Sequence, residues 1–164
     1  MTRIGVSGHR HFNDLASVTA TTMTVLDRLL ERAPTATIIS SLAEGADRLV
    51  AELVLGHLDA TLEVILPMPT DDYLDDFASQ NSTQQFHALL RRATSVVVVE
   101  QLPGDSRPAR YERAGRALVD SCDILVALWD GYPSRGQGST ADVIRYAMDN
   151  DVLVEVILVE RDAL

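Results

Sequence analysis

The chain has one cysteine, Cys122, in 164 residues, so no intramolecular disulfide can staple it. That usage fits a reducing compartment, and the cytoplasm is the expected location. Long apolar runs are missing too. No segment approaches the roughly 20 apolar residues that span a bilayer, and the opening "MTRIGVSGHR" lacks the apolar stretch of a secretory leader. No membrane partner is expected. Basic side chains number 14 against 24 acidic ones, a formal net charge of -10. Polymeric nucleic acid is held largely by neutralising its phosphates, so this balance predicts no nucleic-acid polymer partner and favours a small ligand gripped locally. Two nucleotide signatures are also absent. Without G-x-G-x-x-G after the first strand there is no ordinary NAD site, and without G-K-[ST] there is no Walker A loop. His9 and His11 form a strand-end H-x-H, but the chain has only two other histidines, His57 and His87, so neither a metal site nor a cofactor is expected.

What is present is 46% hydrophobic residues in a chain long enough for one well-buried core and short for two. Residues 1–164 read as a single domain. Short β-branched runs alternate with helical patterns, as in βαβ units with a parallel sheet. Strands are expected at 3–6, 36–40, 62–67, 95–99, 123–129 and 152–159, and helices near 13–33, 44–57, 71–92, 109–121 and 139–150. Most strands are continuous apolar runs, which predicts helices over both faces. The segment 101–110, "QLPGDSRPAR", reads as the most mobile loop. Ligands of open α/β sheets bind outside the carboxyl ends of the strands. The polar, glycine-rich segments "SGHRHF", "SLAEGAD", "PMP" and "DGYPSRGQGST" all fall there.

In "GVSGHRHF", Gly8 allows close backbone approach and Arg10 offers a planar fork to phosphate or carboxylate; the bland alternative is a turn and a surface ion pair. Ser41 and Glu44 fit an S-x-x-E capping box, while Gly45 would leave bare amides at a helix start where an anion could sit. Glu44, Asp47 and Arg48 either reach a sugar or base or are simply solvated. In "RGQGST", Gly136 and Gly138 permit positive φ, and Ser139 or Thr140 can cap the helix or touch phosphate. Asp142 sits in the first helical turn, where the dipole favours an acid whether or not it has a function. Asp130 ends a strand and either braces the loop or accepts from a sugar; Trp129 and Tyr111 read as core or pocket wall.

Together, "IGVSGHRHF", "SSLAEGAD", "ILVALWDG" and "GQGSTADVIRYA" resemble the SLOG superfamily of Rossmann-like domains, which includes the lonely-guy phosphoribohydrolases and the Smf DNA-processing proteins. The resemblance implies a three-layer α/β domain with a mainly parallel sheet. It implies ligand contacts from Ser41, Gly45 and Asp47 in an S-x-A-x-G-x-D segment, and from Gly136, Gly138, Ser139 and Thr140 in a phosphate loop. It also implies homodimers, for which the apolar strand 152–159 is a candidate unless it lies inside the sheet. The phosphoribohydrolase pattern places a catalytic glutamate three residues after its threonine. Here that place holds Val143, or the shorter Asp142 if counted from Ser139. Binding or sensing of a small nucleotide derivative is therefore the expected function. The alternative is N-glycosidic hydrolysis with Asp142 or Glu44 as the carboxylate.

Overall fold

The computed structural model describes residues 1–57 and 59–160; the far end of the expected domain, 161–164, lies outside them. Six strands form one parallel sheet: β1 (Thr2–Gly8), β2 (Ala36–Ser40), β3 (Ala60–Leu66), β4 (Ser95–Val98), β5 (Ile124–Trp129) and β6 (Leu153–Leu158). The order is β4-β3-β2-β1-β5-β6. The chain steps outward from β1 to β4, then crosses back to place β5 on the other side of β1. That reversal opens a crevice beyond the carboxyl ends of β1 and β5, where their neighbouring loops part.

Residues alternate between the two faces. Ile4, Val6, Ile38, Leu62, Val64, Ile124 and Val126 pack under α1 (Leu15–Leu30), α2 (Ala46–Leu55) and α4 (Gln80–Leu90). On the opposite face Ile39, Leu125 and Ala127 meet α5 (Arg107–Asp120) and α6 (Thr140–Asp149). Each fully buried aliphatic side chain contributes about 1.5–3 kcal/mol. The expectation of covered faces fits the inner strands and fails at the edges. Val96, Val97 and Val98 of β4 are 40–54% exposed, and Leu153 and Leu158 of β6 exceed 65%. An edge strand has a neighbour on one side only, and an apolar run does not reveal which strand is the edge.

One helix was expected over 71–92. The chain instead forms a short turn, α3 (Thr70–Tyr73), then a 3-10 turn at Leu74–Asp76, and restarts as α4 with Ser79 as its cap. Tertiary contacts hold the break open: Phe77 is extended, the Ala78 amide donates to Glu44, and Arg10 donates to the Asp76 carbonyl. Similarly, α5 begins at Arg107, two residues before the expected start, with Ser106 as its cap. The preceding loop is tied down by Asp105, which accepts from the Leu102 amide and pairs with Arg113.

Candidate functional site

A cleft of about 700 Å³ lies at the β1–β5 crevice. Its walls are the loop after β1 (Gly8 to His11), the loop after β2 (Ser41 and Ala43) with Asp47 at the start of α2, the turn holding Tyr73 and Asp76, the start of α5, and the loop between β5 and α6. Of the residues singled out in the sequence, it gathers Gly8, His9, Arg10, Ser41, Asp47, Asp130, Gly136, Gly138, Ser139 and Thr140. Trp129 and Tyr111 also line it.

Four singled-out residues, Glu44, Gly45, Arg48 and Asp142, fall elsewhere. Glu44 and Gly45 face a separate depression beside Arg48 and Ser82. Asp142 faces a third one, with Glu112 and Arg145, and sits 3.8 Å from Arg145. The capping box does not form either. Leu42 turns into the left-handed region (φ 55), Gly45 becomes the cap of α2, and Glu44 is drawn off to the Ala78 amide. Ser40 ties this turn instead, accepting from the Leu42 amide and donating to the Asp47 carbonyl. Ser41 contributes its carbonyl, which accepts from Tyr73.

The two glycine turns that precede helices differ in what fills them. The first amide of α2, on Ala46, donates to the His9 carbonyl at 3.0 Å. A Cβ on Gly45, at φ 83, would stand 2.4–2.5 Å from the backbone of His9 and Arg10. The backbone of His9 and Arg10 lies against that helix start, so its leading amide, expected there for an anion, is taken up by protein. At α6, Ser139 caps by accepting from the Asp142 amide. Thr140 and Ala141, whose amides a helix cannot satisfy internally, line the cleft. A Cβ on Gly138 (φ 78) would stand 3.0–3.2 Å from the Glu112 amide, the Tyr111 Cβ and the Pro108 carbonyl, so this turn sits on the start of α5.

The cleft's charges are mostly interlocked. All 14 basic side chains are arginines. Arg10 donates to the Asp76 carbonyl and to the Tyr111 hydroxyl, which itself donates to Asp76. Arg107 bridges Asp72 and Asp76 at 2.9 and 3.0 Å. Burial and the bond to Asp76 push the Tyr111 hydroxyl up to about 12, and burial holds that of Tyr73 well above its ordinary range. Asp130 accepts from the Tyr132 amide and from Arg135. Burial works to raise its carboxyl, but the Tyr132 amide and Arg135 outweigh it and hold the group low. His9 Nε2 accepts from the Asp130 amide at 3.0 Å, binding the loop after β1 to the end of β5. Asp130 and His9 thus brace the cleft wall. Asp47 is the exception: burial pushes its carboxyl up to about 7.

Sequence reading missed Asp76, Arg107 and Tyr73. They were hidden inside an assumed continuous helix and an assumed loose loop. The repeated acid pair in "DDYLDD" opposite "RPAR" was the available signal.

No protein-family model and no curated protein sequence matches the chain. Solved structures do. DNA processing protein A from Helicobacter pylori, which binds single-stranded DNA, matches with a TM-score of 0.64 at 16% identity, over 98% of this chain and 68% of that one. TM1055, a structural-genomics target, matches with a TM-score of 0.57 at 16% identity, over 94% and 72%. The chain shares with both structures a Rossmann-like α/β fold with a parallel sheet. The exclusion of a nucleic-acid polymer partner does not stand, because a protein of this fold binds single-stranded DNA. The net charge of a whole chain is a poor guide to binding that depends on local potential, and here Arg10, Arg107 and Arg135 gather around one cleft. Among the described residues no helix is long and apolar enough to cross a membrane.

Proposed function

We propose that the chain binds a phosphorylated nucleoside in the cleft, its phosphate on the turn from Gly136 to Ala141 and its sugar and base toward the loops after β1 and β2. The observation that carries this reading is an uncovered helix start opening onto a nucleotide-sized cleft beside an arginine. Helix N-termini with glycine turns are ready-made phosphate sites, and Arg10 adds a fork held in place by Asp76 and Tyr111. Turnover is not part of the reading. Neither Asp142 nor Glu44 lines the cleft, and an N-glycosidic hydrolase needs its carboxylate against the reacting sugar. The reading places the protein in the cytoplasm and includes pairing of two copies through the exposed β6 edge, which a monomer mass in light scattering at micromolar protein removes.

A second reading takes the phosphorylated nucleoside as one unit of a single strand. The fold shared with the DNA-binding Helicobacter pylori protein favours it. Calorimetric titration with AMP, adenosine and a short single-stranded oligonucleotide tests both. AMP binding well above adenosine supports the first reading, and an oligonucleotide binding far above AMP supports the second. Equal affinity for AMP and adenosine overturns the phosphate assignment. Brisk release of free base from AMP restores the hydrolase.

A further inference from the structure

Among the described residues three carboxylates line the cleft, and two of them are already engaged. Asp76 is held by Arg107 and the Tyr111 hydroxyl, and Asp130 by Arg135 and the Tyr132 amide. Asp47 stands apart. It is 8% exposed, meets no basic side chain among the described residues, and accepts one long hydrogen bond, from the Ala43 amide at 3.3 Å. A carboxylate buried with so little compensation is costly, and either a proton or a set of ligand donors relieves that cost.

Its place in the fold says which donors. Asp47 lies in the first turn of α2, which follows β2, the strand beside β1. A nucleotide whose phosphate rests on α6, beyond β5, extends its sugar across β1 toward β2. Dinucleotide-binding α/β domains use an acid after β2 for a ribose hydroxyl. Here β2 ends in serine, and the acid comes later, on the helix. We propose that Asp47 is the specificity-determining acid of the cleft, accepting hydrogen bonds from the vicinal hydroxyls of a ribosyl group and giving up its proton to solvent as it does so. This rests on the proposed nucleotide site and adds the sugar class and a proton linkage. No covalent bond changes: the Asp47 O–H is exchanged for two ligand O–H donors. The ionisable groups around it are few. Arg10, after β1, and Arg48, on its own helix, favour the ionised form without touching it; burial opposes them, and Tyr73, from α3, is held neutral.

The experiment compares AMP binding by the wild type and Asp47→Asn from pH 5 to 8. The comparison cancels the second ionisation of the phosphate near pH 6, which both proteins see. The wild-type affinity, taken relative to the variant, should rise about tenfold from pH 5 to 6 and level off above pH 7. The rise should vanish with 2',3'-dideoxy-AMP. A constant ratio across the range, or one that falls with pH, overturns the inference while leaving the phosphate site standing. Failure of AMP to bind the wild type at any pH overturns the proposed function and this inference with it. A carboxyl ¹³C titration of the ligand-free wild type guards against a misfolded variant: Asp47 ionising near pH 7 supports the proposal, and ionisation below pH 5 overturns it.

Discussion

Two turns in this molecule look alike in sequence and do opposite work. "AEGAD" before α2 and "GQGST" before α6 both place glycine and small residues at a helix start beside the crevice. In the first, the backbone of His9 and Arg10 fills the hollow and takes the leading amide. In the second, no described residue stands within 4 Å of a Cβ on Gly136, and the leading residues of α6 line an open cleft. Glycine before a helix therefore marks close approach without saying what approaches. The first turn is a joint between two loops, and the second opens onto the cleft.

Substitution separates the two most sharply. Gly45→Ala puts a methyl group into the backbone of another loop at a left-handed φ, and should cost about 3–5 kcal/mol in urea unfolding. Gly136→Ala, at φ 143 in open space, should cost only about 1–2 kcal/mol. Equal losses would erase the distinction. Next in size, Arg10→Ala should weaken AMP binding by about 1.5–3 kcal/mol, the range for a charge-assisted contact, measured by calorimetry. Binding unaffected by that change would assign Arg10 wholly to the Asp76–Tyr111 brace.

Acid titration extends the comparison to the helix that follows each turn. The Asp47 carboxyl, raised from 3.8 to about 7, keeps its proton in the folded chain where the unfolded chain has lost it. Its contribution to stability is full below pH 4 and declines by about 1.4 kcal/mol per pH unit until roughly pH 7. The stability difference between the wild type and Asp47→Asn should follow that slope in unfolding melts from pH 4 to 7. A difference that does not change with pH would mean that Asp47 ionises as an ordinary carboxyl. The smallest effect is expected at the α6 cap, where Ser139→Ala should cost about 1 kcal/mol. No equivalent loss is expected from Ser41→Ala, since the Ser41 side chain caps nothing.

The alternation of β-branched runs with helical patterns sufficed to read the parallel sheet, because buried strands and amphipathic helices carry their period locally. Strand order did not follow from it. Whether "SVVVV" lies inside the sheet or at its edge depends on partners distant in the chain. The cleft was legible where glycine, serine and threonine cluster after β5, since turn chemistry is local. It was illegible at Asp76 and Arg107, which enter the wall only because the 70–79 segment breaks and folds back onto α5. Glu44 and Asp142 satisfied sequence spacing and missed the cleft: Glu44 lies in the turn before α2 and is drawn to the Ala78 amide, and Asp142 lies on α6 beside Arg145 and Glu112.

Which helix start meets the phosphate is read most directly by an amide-resolved NMR titration of ¹⁵N-labelled protein with AMP. Saturating shifts at the Gly138, Thr140 and Ala141 amides, with the Ala46 amide still donating to His9 and unmoved, are the predicted result. Shifts at Ala46 with Thr140 and Ala141 silent would contradict it and move the phosphate to the turn assigned here as a joint.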